Sequence, residues 1–143
     1  MKNSMKKLLS MIILNIAILT TTLTIHEIGH ALAGKALGCA SAKAVVFDST
    51  SMNPYTELSC QKEERAAYAA GLILTTIFGL SFLVFEKPHK TLSLVIIGFG
   101  IFLASLDIVE LTGLSFTQYI FIFWGLASLI IGQILYGIYS VKE

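Results

Sequence analysis

Long runs of apolar residues, separated by short polar connections, dominate the chain. Runs of about 18 or more apolar residues have the length of a helix that crosses a bilayer. Two connections are turn-like: the charged segment 86–90, which contains the helix-ending Pro88, and the segment 112–115. The pattern predicts an all-α membrane protein with one polytopic domain over residues 1–143. We expect about four transmembrane helices, at residues 8–37, 66–85, 91–111 and 116–139.

The connection between the first and second predicted helices follows a different pattern. Residues 42–48 are rich in valine and phenylalanine, and residues 55–60 show the side-chain alternation of a β-strand. The turn signal Asn53-Pro54 lies between the two segments. This predicts a small membrane-associated β-hairpin over about residues 42–60, with a plain interfacial loop as the alternative. A free strand edge between Ala42 and Cys60 would let an extended peptide substrate bind by strand addition.

Two cysteines, Cys39 and Cys60, lie in this connection. They can form a disulfide if the connection faces an oxidising compartment, and otherwise they are two free thiols. With the N-terminus inside, six basic residues lie on the cytoplasmic side and four on the other, which slightly favours that orientation. The six are Lys2, Lys6, Lys7, Lys87, Lys90 and Lys142, and the four are Lys35, Lys43, Lys62 and Arg65.

Composition agrees with a chain that is solvated by lipid. Hydrophobic residues make up 55% of the 143 residues, and the mean hydropathy is +0.79. A water-soluble domain of this length cannot bury so much apolar side chain. The net charge of +1 offers no electrostatic basis for a nucleic-acid partner. We therefore expect an integral, multi-pass membrane protein whose partners are the bilayer and other membrane proteins or peptides.

One cluster of ionisable residues follows directly on the first apolar run. His26, Glu27 and His30 form the pattern H-E-x-x-H. On a helix, positions i and i+4 share a face, so His26 and His30 can reach one metal ion. Glu27 lies beside them, where its carboxylate can take a proton from an attacking water. Because ionisable residues at membrane depth are costly and usually functional, the pattern predicts zinc chemistry at or inside a membrane.

A catalytic zinc site needs a third protein ligand. Asp107 is our first choice, because a carboxylate inside the third apolar run is expensive to bury unless it is paired or coordinates a metal. Glu110 is one turn further on and could be the ligand instead, or could hold a histidine ring. A position at the helix end, reaching the interface, is the plainer interpretation of either residue. Weaker ligand candidates are Asp48, Glu57, Glu63 and Glu64.

These residues resemble the site-2 protease family of intramembrane zinc metalloproteases. The segment 24–33, with H-E-I-G-H-A at its centre, is similar to the family's first motif. The hairpin over 42–60 and the stretch Ala69-Ala70-Gly71 are similar to elements that follow in the family. Leu106-Asp107 matches two residues of its L-D-G motif, while Ile108 stands where the family has glycine.

The resemblance implies a minimal family member. It implies a zinc endopeptidase that cleaves a transmembrane or membrane-proximal segment of a protein substrate. His26, His30 and Asp107 would hold the Zn²⁺ and Glu27 would be the catalytic base. It would reside in the plasma membrane of a prokaryote.

Two other functions remain open at this stage. The first is a catalytically silent zinc-binding membrane protein that regulates or chaperones another membrane protein, which the isoleucine at position 108 favours. The second is a small transporter or channel component in which Asp107, Glu110 and Gln133 line a polar path.

Overall fold

The computed structural model describes residues 2–46, 54–60 and 65–141. Five α-helices and one two-stranded sheet make up most of this part of the chain. Short 3₁₀ turns at Phe82–Val84 and His89–Thr91 join the second and third helices. The elements are α1 (Lys2–Ala36), β1 (Ser41–Val45), β2 (Tyr55–Ser59), α2 (Arg65–Ser81), α3 (Leu92–Leu103), α4 (Asp107–Thr112) and α5 (Phe116–Val141).

Three of these segments are long and apolar enough to cross a membrane, by length and composition: Leu9–Ala36, Arg65–Val84 and Phe116–Ser140. They coincide with three of the four helices that the apolar runs predict. Their outward surfaces carry large apolar side chains, such as Ile16, Ile77 and Phe123, each more than half exposed. Such surfaces suit contact with lipid tails, since a bilayer solvates apolar side chains.

The expectation of one continuous helix over residues 91–111 is wrong. The chain forms α3, then a turn at residues 104–106, and then the short α4. Within the turn, the Ser105 amide donates to the Phe102 carbonyl three residues back, at 3.2 Å, which interrupts the regular α-helical pattern. With 12 residues, α3 is about 18 Å long and shorter than the hydrocarbon core of a bilayer. Apolar periodicity missed the break because alanine, serine and leucine are all compatible with a helix.

The predicted β-hairpin is present, with shorter strands than the sequence suggested. β1 pairs with β2 in an antiparallel register from Ser41↔Ser59 to Val45↔Tyr55. A disulfide between Cys39 and Cys60 closes its base, so the cysteines are not free thiols in this structure. The predicted turn between the strands, with its signal at Asn53-Pro54, lies outside the described residues except for Pro54.

The hairpin packs on the C-terminal end of α1. A methyl group at Gly34 would lie 2.5 Å from Leu58 Cδ2 and 3.0 Å from Ala42 Cβ, so both strands touch the helix there. The small residues near the end of α1 thus allow close packing of both the hairpin and α2.

Helix α2 contacts both α1 and α3, α1 also contacts α3, and α5 covers α3. The buried apolar core consists of Ile18, Leu92, Val95 and Ile96, between the middle of α1 and α3. A paired amide contact also joins Asn15 on α1 to Gln133 on α5. The histidines follow Ile18 on α1 by two to three turns, or about 12 Å or more. Along α1, the apolar core therefore lies on the N-terminal side of the histidine pair, and the hairpin packs on the C-terminal side.

Candidate metal centre

His26 and His30 lie on one face of α1 and point towards α2. Their exposed fractions are 3% and 6%, so both rings are removed from solvent. The Nε2 atoms of the two rings are 3.1 Å apart. The i, i+4 spacing produces this approach, because residues four apart lie above one another on a helix.

Asp107 completes the cluster from the first turn of α4. Its Oδ2 atom lies 2.8 Å from His26 Nε2 and 3.2 Å from His30 Nε2. The three atoms form a nearly equilateral triangle, although the residues are about 80 positions apart in sequence. The interruption of the helix between α3 and α4 places this carboxylate beside α1.

The donor set fits a zinc ion. Two imidazole nitrogens and one carboxylate oxygen are typical ligands of catalytic zinc, which leaves a fourth position open. Donor atoms bound at 2.0–2.1 Å around a tetrahedral ion lie about 3.3 Å from each other, close to the sides of the triangle. Among the described residues, His26, His30 and Asp107 form the group of three possible metal ligands whose ligand atoms all lie within 4.8 Å of one another.

The ring of His30 is held in the tautomer that metal binding needs. Its Nδ1–H donates to the Ala67 carbonyl at 2.7 Å. A proton on Nδ1 leaves Nε2 as the ring nitrogen that can coordinate a metal. The corresponding Nδ1 atom of His26 is buried and has no hydrogen-bond partner among residues 2–46, 54–60 and 65–141.

Glu27 lines the same cleft as the three donor residues and is held by the hairpin. Its side chain is 8% exposed, and its Oε2 atom accepts a hydrogen bond from Thr56 Oγ1 at 2.7 Å. The same hydroxyl lies 3.0 Å from the Glu27 main-chain carbonyl oxygen. The contact of Thr56 with Glu27 was not predicted from the sequence. The alternation along residues 55–60 was the available signal, since it places Thr56 and Leu58 on one face of β2.

Two glycines let α1 and α2 approach closely at the centre. A methyl group on Gly29 would lie 2.7 Å from the Ala70 carbonyl oxygen and 2.9 Å from Gly71 Cα. A methyl group on Gly71 would lie 2.6 Å from His30 Nε2 and 2.8 Å from His26 Nδ1. Only a residue without a side chain fits at either position on the observed backbone.

A cleft of about 520 Å³ opens onto the triangle. One wall comes from α1, another from the turn before α4, and a third from β2. Apolar side chains dominate it, while the ionisable groups converge at one point. The polar side chains that line the cleft include His26, Glu27, His30, Thr56, Tyr68 and Asp107.

The other sequence candidates lie elsewhere. Glu110 is exposed on α4, and Glu57 is exposed on the face of β2 opposite Thr56. Neither belongs to the cluster of His26, His30 and Asp107. Asp48, Glu63 and Glu64 lie outside the described residues. Gln133 pairs with Asn15 on α1.

Comparisons with known proteins leave the family open. No protein-family model, no curated protein and no solved structure matches this chain. The likeness to site-2 proteases therefore rests on the chain's own residues and on their arrangement around the cleft.

Proposed function

We propose that this protein is an intramembrane zinc metalloprotease, similar in mechanism to site-2 proteases. It would be a multi-pass protein of a prokaryotic plasma membrane, in which α3 and α4 together complete a fourth passage. One observation carries the proposal: His26, His30 and Asp107 place three donor atoms within 2.8–3.2 Å of each other, with the Glu27 carboxylate beside them on one cleft.

The chemistry follows from the roles that these residues can take. Zinc bound by His26, His30 and Asp107 would supply a Lewis acid that polarises the scissile carbonyl and makes water easier to deprotonate. Glu27 takes the proton from the attacking water as hydroxide adds to the carbonyl carbon. It then gives that proton to the amine nitrogen as the carbon–nitrogen bond breaks. The products are a carboxylic acid and an amine, so a single water is consumed.

Thr56 keeps Glu27 ready for this transfer. Its hydroxyl donates to Oε2, which leaves the other carboxylate oxygen available to the water. A base that is positioned before the substrate arrives loses less freedom in the transition state.

The hairpin offers a place for the substrate. β2 lines the cleft through Tyr55, Thr56 and Leu58, and Pro54 lines it just before the strand begins. Within the described residues, β1 is the one strand that pairs with β2, along one of its two edges. A transmembrane segment that unwinds locally could add to the other edge, with main-chain hydrogen bonds holding its scissile bond near the triangle.

The decisive experiment compares Glu27→Gln with the wild type. Both are purified in detergent, assayed for zinc, and reconstituted into vesicles with a panel of single-span transmembrane peptides, whose products are read by mass spectrometry. We expect about one zinc per chain in both proteins, and cleavage by the wild type alone. Glu57→Gln, on the exposed face of β2, is the matched control and should cleave normally.

Two results would count against the proposal. Cleavage by Glu27→Gln at the wild-type rate would exclude Glu27 as the base. A zinc-loaded wild type that cleaves no peptide in the panel would favour the catalytically silent zinc-binding protein instead.

A further inference from the structure

Two buried polar atoms on α1 have no hydrogen-bond partner within the described part of the chain: Thr22 Oγ1 and His26 Nδ1. Thr22 is fully buried and His26 is 3% exposed. Unpaired polar atoms in such places are costly, and proteins usually satisfy them with a side chain, a main-chain group or a bound water. Two such atoms, one turn apart, indicate a common partner.

The two atoms lie on the same face of α1. Residues 22 and 26 are four apart, and helix side chains lean towards the N-terminus, so the His26 ring lies over the turn that contains Thr22. The neighbouring threonines behave differently. Thr20 and Thr24 each donate to the carbonyl four residues back, at 2.9 Å, as threonines in helices commonly do. Thr22 makes no such bond, so its hydroxyl is available to another group.

The facing helix supplies no acceptor for the His26 ring. It presents Gly71 there, and even a methyl group at that position would lie 2.8 Å from Nδ1. The buried Thr75 hydroxyl, one turn further along α2, already bonds to the Gly71 and Leu72 carbonyls at 3.0 Å. Neither Gly71 nor Thr75 therefore supplies the partner, which leaves a bound water to satisfy the two atoms.

We infer that a buried water bridges Thr22 Oγ1 and His26 Nδ1, which makes Thr22 a positioning residue for the metal ligand His26. The inference rests on the proposed function, because a metal on Nε2 requires the proton on Nδ1, and that N–H then needs an acceptor. The water accepts from Nδ1–H and donates to the Thr22 oxygen. His30 is held directly by the Ala67 carbonyl, and His26 is held in the same way through solvent.

Zinc affinity of three variants tests the inference. Thr22→Val removes the hydroxyl while keeping the shape, Thr22→Ser keeps the hydroxyl, and Thr20→Val is an exposed control on the same helix. Affinity is measured by competition with a chromophoric chelator in detergent, and thermal unfolding is followed in parallel. We expect Thr22→Val to lose about tenfold or more in zinc affinity, which is typical for loss of a bond that holds a ligating histidine. Thr22→Ser and Thr20→Val should bind as the wild type does.

The opposite result is equally clear. If the Thr22 hydroxyl binds no water and makes no hydrogen bond, valine is the more stable residue at this buried position. Thr22→Val would then unfold at a higher temperature than the wild type and would bind zinc with unchanged affinity. That outcome would overturn the inference and leave the proposed protease function intact.

Nitrogen NMR of the histidine rings provides a second readout that needs no proteolysis. In the wild-type protein we expect a cross-peak between water and the His26 Nδ1 proton, retained in Thr22→Ser and lost in Thr22→Val. Absence of the cross-peak in the wild type would overturn the inference even if Thr22→Val failed to fold. A wild type that binds no zinc at all would instead refute the proposed function.

Discussion

Replacing Gly71 with alanine would place a methyl group inside the metal centre. Built on the observed backbone, that methyl carbon lies 2.6 Å from His30 Nε2, 2.7 Å from His26 Cε1 and 2.8 Å from His26 Nδ1. Both rings are thus affected by one added carbon, although Gly71 itself is not among the candidate ligands.

The size of the effect follows from these distances. An ordinary contact of this kind is about 3.4 Å or longer, so the closest approach is short by roughly 0.8 Å. Separating α1 from α2 would give up the close contact of Gly29 with the main chain of Ala70 and Gly71. The rings must therefore move, and a shift of several tenths of an ångström exceeds the roughly 0.2 Å latitude of zinc–ligand distances. We expect zinc affinity to fall at least about tenfold, as for other changes that displace a ligating histidine.

Chelator competition on the detergent-purified variant measures this loss. Gly137→Ala is the matched control, because a methyl group there meets nothing within 4 Å and only improves helix propensity. Helix content and elution volume establish that both variants are folded. If Gly71→Ala is folded and binds zinc as tightly as Gly137→Ala, then the rings do not hold the metal where the triangle lies, and the reasoning fails.

Three further predictions concern the surroundings of the triangle. Thr56→Val should keep its zinc but lower kcat roughly tenfold or more, because Glu27 is no longer oriented; an unchanged kcat in the peptide assay would contradict this. Asp107→Asn should lose most bound zinc by elemental analysis, whereas Glu110→Gln, on an exposed position of the same helix, should retain it; equal zinc in the two variants would exclude Asp107 as a ligand. Asn15→Ala and Gln133→Ala should show a coupling energy of about 0.6–1.7 kcal/mol in a double-mutant cycle of unfolding, and additive effects would mean that the amide pair does not form.

The three clustered residues could be predicted from the sequence, because two are close in sequence and the third is a carboxylate that is energetically costly to bury. His26 and His30 are four residues apart on one helix, so spacing alone puts their rings together. Asp107 was found by a different argument, the expense of a carboxylate in an apolar run. The structure places its Oδ2 atom 2.8 Å from His26 Nε2, so Asp107 lies in one cluster with the two histidines. The hairpin was visible in the alternation of residues 55–60.

The remaining features depend on packing that no local pattern encodes. The break between α3 and α4 occurs in residues that would all accept a helix, so only the contacts around Asp107 distinguish the two outcomes. Thr56 meets Glu27 across 29 positions of sequence, through the docking of the hairpin on α1. The Ala67 carbonyl that holds His30 is a main-chain group, and side-chain chemistry gives no indication of it.

The interruption between α3 and α4 has a consequence for the supply of water. Main-chain groups outside a regular helix are tolerated at membrane depth only where protein covers them or where a water-filled cavity solvates them. Here the protein covers Ala104 and Ser105, while Leu103 and Leu106 border the cleft. Peptide hydrolysis consumes water, which hydrocarbon excludes. Under the proposed protease function, the irregular turn that precedes Asp107 would therefore serve twice: it places a metal ligand beside α1, and it borders the cleft through which water would reach the site.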